Sequence, residues 1–76
     1  NLKQKLAEEM ILALRTSEGV ETEKLFKTYP ESLVQEKLIQ LKDFAQSHFI
    51  REREGRWILT SRGTLIANQL FLEILD

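Results

Sequence analysis

Few side chains in this 76-residue sequence are equipped for chemistry. Two arginines stand where a guanidinium can grip a carboxylate bidentately: Arg15, after the apolar stripe of the first helix, and Arg62, inside Thr60-Ser61-Arg62-Gly63. His48, the single histidine, and Met10 are types that ligate metals. Trp57 can stack on a flat ligand, and Asn68 can hydrogen-bond a neighbouring helix or a partner. Each also has an ordinary role. Arg15 suits the negative end of a helix dipole or an ion pair with Glu18 or Glu21. Arg62 opposes the dipole of the helix it opens, and its plain reading is a solvated charge near Glu52 or Glu54. Trp57 and Met10 read as core, and His48 as a loop residue.

Composition narrows the chemistry further. Cysteine is absent, which removes disulfides, thiolate nucleophiles, iron–sulfur ligation and cysteine-based zinc sites. Eleven basic against twelve acidic side chains leave a net charge of −1, which predicts no strong attraction to nucleic acid or to an anionic membrane. The longest apolar run, Met10 to Leu14, is far below the ~20 residues of a membrane span, and a cytosolic setting is expected. The size fits one domain over residues 1–76. Because the sequence opens at Asn1 and not at a methionine, it is expected to be a piece of a longer protein.

The candidate residues are positioned by a few elements. Leu2, Leu6, Met10 and Leu14, with Ile11 beside them, predict an amphipathic helix from Leu2 to Arg15. Thr16-Ser17-Glu18-Gly19 ends it, with Gly19 free to take positive φ. A short helix capped by Thr22 runs to about Tyr29, turns Leu25 and Phe26 inward, and stops at Pro30. A third, Glu31 to Gln46, buries Val34, Leu38, Leu41 and Ala45, with Phe44 alongside. Phe49 to Arg53 and Arg56 to Leu59 read as two strands around Glu54-Gly55. Thr60 then N-caps a last helix, Ser61 to about Leu75, that buries Ile66, Leu70, Phe71 and Ile74. Gly63 in its first turn is unfavourable for a helix, so a closely packed neighbour is expected there.

The predicted fold class is mainly α with a small β-hairpin, in the winged-helix-like order helix-helix-helix-hairpin-helix. Such a scaffold often binds DNA, and the DNA-binding domain of a transcription regulator is the alternative reading. The charges weigh against it. Lys37 and Lys42 on the third helix are outnumbered by Glu31, Glu36 and Asp43, and the hairpin alternates in sign from Arg51 to Arg56. That alternation also blunts an exposed sheet edge.

Three stretches together resemble a known family: Glu8-Glu9-Met10-Ile11-Leu12-Ala13-Leu14-Arg15 followed by Gly19-Val20; Leu59-Thr60-Ser61-Arg62-Gly63; and Leu65, Ala67-Asn68 and Phe71. In this order they are similar to the C-terminal domain of the oxygen-independent coproporphyrinogen III oxidases, radical SAM proteins that include haem chaperones. The family often has glycine at Ala13 and His48. The resemblance implies a non-catalytic accessory domain that packs on the radical SAM catalytic domain of the same chain and helps enclose a tetrapyrrole. Arg15, Arg62 and Asn68 are then contact candidates for a porphyrin propionate or the partner domain, and Trp57, Thr60 and Gly63 are structural. His48 and Met10 belong to types that can ligate haem iron. A 4Fe-4S cluster and S-adenosylmethionine are implied for the parent protein, and no cofactor for these residues. Nucleic acid and membrane are not expected partners.

Overall fold

A computed structural model describes all residues, 1–76. The first apolar stripe forms helix α1 (Leu2–Leu14), whose N-cap Asn1 accepts from the Gln4 N–H at 2.8 Å. Leu6, Ala7, Met10, Ile11 and Leu14 are buried, whereas Leu2, expected on the stripe, is half exposed. The chain has not yet entered the core at that first turn. Beyond α1, Thr16 accepts from the Gly19 N–H at 3.1 Å and tightens the loop.

Strand β1 (Val20–Glu21) was not expected from the pattern, since two residues cannot display a period. Helix α2 (Thr22–Thr28) follows directly, with Glu21 rather than Thr22 at its N-cap and no side-chain cap. Thr22 instead accepts a hydrogen bond from the Trp57 indole N–H at 2.9 Å. Leu25 is buried as expected, but Phe26 lies on the exposed side of this short helix. Pro30 is the N-cap of α3 (Glu31–Gln46), which buries Val34, Leu38, Leu41 and Phe44, with Ala45 at the rim.

The end of α3 accommodates the histidine that replaces the family's frequent glycine. His48 takes a left-handed conformation (φ 66°). The His48 N–H donates to the Ala45 carbonyl and the Phe49 N–H to that of Phe44, each at 3.0 Å, which is a Schellman termination of the helix. The chain thereby turns into β2 (Ile50–Arg53), which pairs antiparallel with β3 (Arg56–Leu59). Glu54 and Gly55 between them both have positive φ, as a two-residue type I′ hairpin requires. Strand β1 pairs with the other side of β3, so the sheet order is β1-β3-β2.

Trp57 and Leu59 face the core, and Trp57 is buried. Thr60 caps the next helix, accepting from the Gly63 N–H at 3.0 Å, while its hydroxyl donates to the His48 carbonyl at 2.6 Å. The single last helix expected from Ser61 onward is two: α4 (Ser61–Leu65) and α5 (Ala67–Leu75), broken at Ile66 (φ −120°, ψ 26°). Leu65 is thereby left 86% exposed while Leu70, Phe71 and Ile74 are buried. The architecture is thus mainly α with a small sheet, in the expected order of elements. One core joins all layers, with α1 packed against α3, α5, β1 and β3.

Two close approaches explain the glycines of the resembling stretches. A Cβ at Gly63 would clash with the Phe49 carbonyl oxygen and lie 2.8 Å from its carbon. Gly19 has φ 73°, and its missing Cβ leaves room for the Trp57 carbonyl, which lets β1 reach β3.

Candidate functional site

Of the residues singled out for chemistry, Arg15, His48, Arg62 and Asn68 fall into two adjoining open grooves. The first, about 590 Å³, lies where the end of α1 meets β3, α4 and α5; Arg15, Ile58, Leu59, Thr64, Asn68 and Phe71 help line it. The second holds His48, Arg51, Thr60, Ser61 and Arg62, and Leu59 is common to both. The structure therefore brings Arg15 and Asn68 together and places Arg62 across Leu59 from them.

Neither arginine makes the ion pair that its ordinary role suggested. The ion pairs of the molecule are Lys3–Glu36, Lys27–Glu23 and Arg56–Glu21. Arg15 instead lies over the Phe71 ring at 5.2 Å from its centroid, and Arg62 over Phe49 at 5.5 Å. Each cation–π contact contributes roughly 0.5–1 kcal/mol at an exposed position and leaves the guanidinium N–H groups free to donate. Asn68 is exposed and makes no side-chain hydrogen bond within the chain, so of its two expected partners, a neighbouring helix or another domain, the helix is not used.

Other candidates are consumed by the fold. Met10 is fully buried in the core, out of reach of a ligand, and Trp57 is held by Thr22. His48 is exposed and stands at the rim of the second groove. With no cysteine in the chain and no cluster of three metal-ligating side chains, these residues do not fit an iron–sulfur centre.

Sequence reasoning missed two polar contacts. The Tyr29 phenol donates to a Glu9 carboxylate oxygen at 2.9 Å, tying the end of α2 to α1. Burial raises the Tyr29 pKa above its usual 10.0, and the hydrogen bond and charge of Glu9 raise it further. Lys37, read as an exposed cation, is 4% exposed, and its ammonium donates to the Ile74 carbonyl. Gln40 donates to the Glu73 carbonyl at 2.7 Å, so two side chains of α3 serve the free carbonyls at the end of α5. Burial above all, then Lys3, holds the Lys37 pKa below 10.5, while Glu36 and Asp76 pull it upward. A signal for Lys37 was present: it stands three after Val34 and four before Leu41, inside the apolar stripe.

With Lys37 withdrawn, the outer side of α3 carries Glu31, Glu36 and Asp43 against Lys42, which is poor chemistry for a phosphate backbone.

A protein-family model described as the HemN C-terminal domain matches residues 1–66. No curated protein and no solved structure matches the chain. The matched span closes at Ile66, where the last helix breaks, so it covers α1 to α4 with Arg15 and Arg62, and Asn68 and Phe71 lie beyond it.

Proposed function

The chain belongs to the family of HemN C-terminal domains, and from that membership we propose that it is the non-catalytic accessory domain of an oxygen-independent coproporphyrinogen III oxidase-like radical SAM protein. It packs on the catalytic domain of the parent and helps enclose the tetrapyrrole. The parent is then an oxidoreductase or haem-delivery protein whose cluster and S-adenosylmethionine are held outside these 76 residues. No helix here is long and apolar enough to cross a membrane.

One observation carries this reading. Of the residues behind the family resemblance, Glu9, Gly19, Thr60 and Gly63 are used up in building the fold, whereas Arg15 remains unpaired on an open groove. A groove open along its length covers one side of a ligand. Small-molecule pockets of comparable size bury some 70–90% of theirs, so a second wall must come from a partner.

The test is to delete residues 1–76 from the full-length protein and follow two activities. Cluster loading and S-adenosylmethionine cleavage should survive, while tetrapyrrole turnover or haem retention falls. The isolated chain should cleave no S-adenosylmethionine. Cleavage by the chain alone, or unchanged tetrapyrrole handling after deletion, would overturn the reading.

A further inference from the structure

The two adjoining grooves share a charge pattern. No aspartate or glutamate lines either of them, although the chain has twelve acidic residues. Elsewhere the carboxylates gather: Glu9, Glu18 and Glu21 line the groove between α1 and α2, and Glu36, Asp43 and Glu73 the one between α3 and α5. Arg15, Arg51 and Arg62 line the acid-free grooves, and none has an ion-pair partner, whereas Arg56 on the same hairpin is paired with Glu21. Ser17, Ser61 and Asn68 add side-chain donors or acceptors that make no hydrogen bond within the chain.

From this arrangement we propose that the continuous face from Arg15 across Leu59 to Arg62 docks an acidic polypeptide surface, with Arg15, Arg51 and Arg62 as three carboxylate-binding points. That the surface belongs to the parent's catalytic domain rests on the function proposed above; the charge of the occupant does not.

The chemistry favours protein over the other anions. Arginine with aromatic side chains and no lysine is the composition of a protein interface, and no lysine lines either groove. Ile58, Leu59 and Phe71 supply an apolar centre between the guanidinium groups, which a carboxylate-rimmed surface matches and a phosphate backbone does not. Duplex DNA contacts typically neutralise about 6–10 phosphates, more than three arginines supply, and the neighbouring α3 presents Glu31, Glu36 and Asp43.

The experiment is a titration of the 76-residue chain with a hexaglutamate peptide, read by NMR at backbone amides and arginine side-chain N–H groups. Shifts should concentrate between Ile58 and Phe71 and at Arg15, Arg51 and Arg62, and should weaken as salt rises. Arg51→Glu/Arg62→Glu, at exposed positions, should weaken binding at least about tenfold, equal to ~1.4 kcal/mol. Lys5→Glu/Lys24→Glu, the same change of charge elsewhere, should leave it intact. Equal loss in both variants, shifts centred elsewhere, or no shifts would overturn the proposal. So would tighter binding of a DNA duplex at the same residues, or binding of a tetracarboxylate porphyrin without the peptide. Because only the chain and a peptide are used, the outcome is separate from that of the deletion in the full-length protein.

Discussion

Replacing Gly63 by alanine pits two effects of opposite sign against each other. On propensity alone, alanine in α4 is favoured by about 1 kcal/mol. Against it stands the Phe49 carbonyl oxygen, which the new methyl group would overlap. That carbonyl is backbone, so no side-chain rotation relieves the clash, and it also accepts the Thr60 N–H at 3.0 Å. Moving it loosens a network in which Thr60 both caps Gly63 and donates to His48. Overpacking costs about 1–3 kcal/mol, and the endangered hydrogen bond and cap about 1 kcal/mol each. The net expectation is a loss of roughly 2–4 kcal/mol, a large part of the ~4–11 kcal/mol expected for a domain of this size. Thermal unfolding by circular dichroism should show a melting temperature lower by at least about 8 °C. Thr60→Ala alone should cost about 1 kcal/mol, and the double variant less than the two together, because both act on one network. A Gly63→Ala chain as stable as the parent sequence, or more so, would refute the argument and leave helix propensity as the controlling term.

Three further outcomes are expected. His48→Gly should raise stability by about 0.5–1 kcal/mol in urea unfolding, since glycine adopts φ 66° without the Cβ strain that histidine bears. The Tyr29 phenol, raised above 10.0, should titrate late in ultraviolet difference spectra and earlier in Glu9→Gln; its stabilising effect is complete below pH 10.0 and lost as pH rises through the folded value, a loss absent in Tyr29→Phe. Lys37, lowered below 10.5, binds fewer protons folded than unfolded, so its contribution to stability rises from the folded value up to pH 10.5; urea midpoints measured in a Tyr29→Phe background should show that rise, and Lys37→Met should abolish it while costing about 1–3 kcal/mol through the orphaned Ile74 carbonyl.

What the sequence made legible follows from the range over which each cause acts. Helices α1 and α3, the hairpin, the Thr60 cap and the crowding at Gly63 are written in spacings of a few residues, and each was recovered. Strand β1 exists because Gly19 admits the Trp57 carbonyl from 38 positions further on, a proximity no local pattern encodes. The break at Ile66 has no proline or glycine to announce it. The bond from Tyr29 to Glu9 and that from Lys37 to Ile74 likewise join residues far apart in the chain. Of the candidate site, Arg15, Arg62 and Asn68 were chosen for chemical type, but Arg51 was read only as part of an alternating strand. Its cross-strand partner is Ile58, and that pleat turns it toward the groove face while Glu52 pairs with Trp57 on the other.

The same division separates structural from functional residues. A side chain that the fold has already satisfied has no binding capacity to offer: Glu9 holds Tyr29, Lys37 closes α5, Trp57 is anchored to Thr22. Capacity remains where a strong donor has an aromatic ring beneath it and no carboxylate in front, which is the situation of Arg15 on Phe71 and of Arg62 on Phe49. A ring contact of this kind restricts where a guanidinium can go before any partner arrives, so less side-chain entropy is lost when a carboxylate binds. A chain with a net charge of −1 that keeps carboxylates out of two adjoining grooves, and places three unpaired arginines along them, is arranged to meet negative charge there.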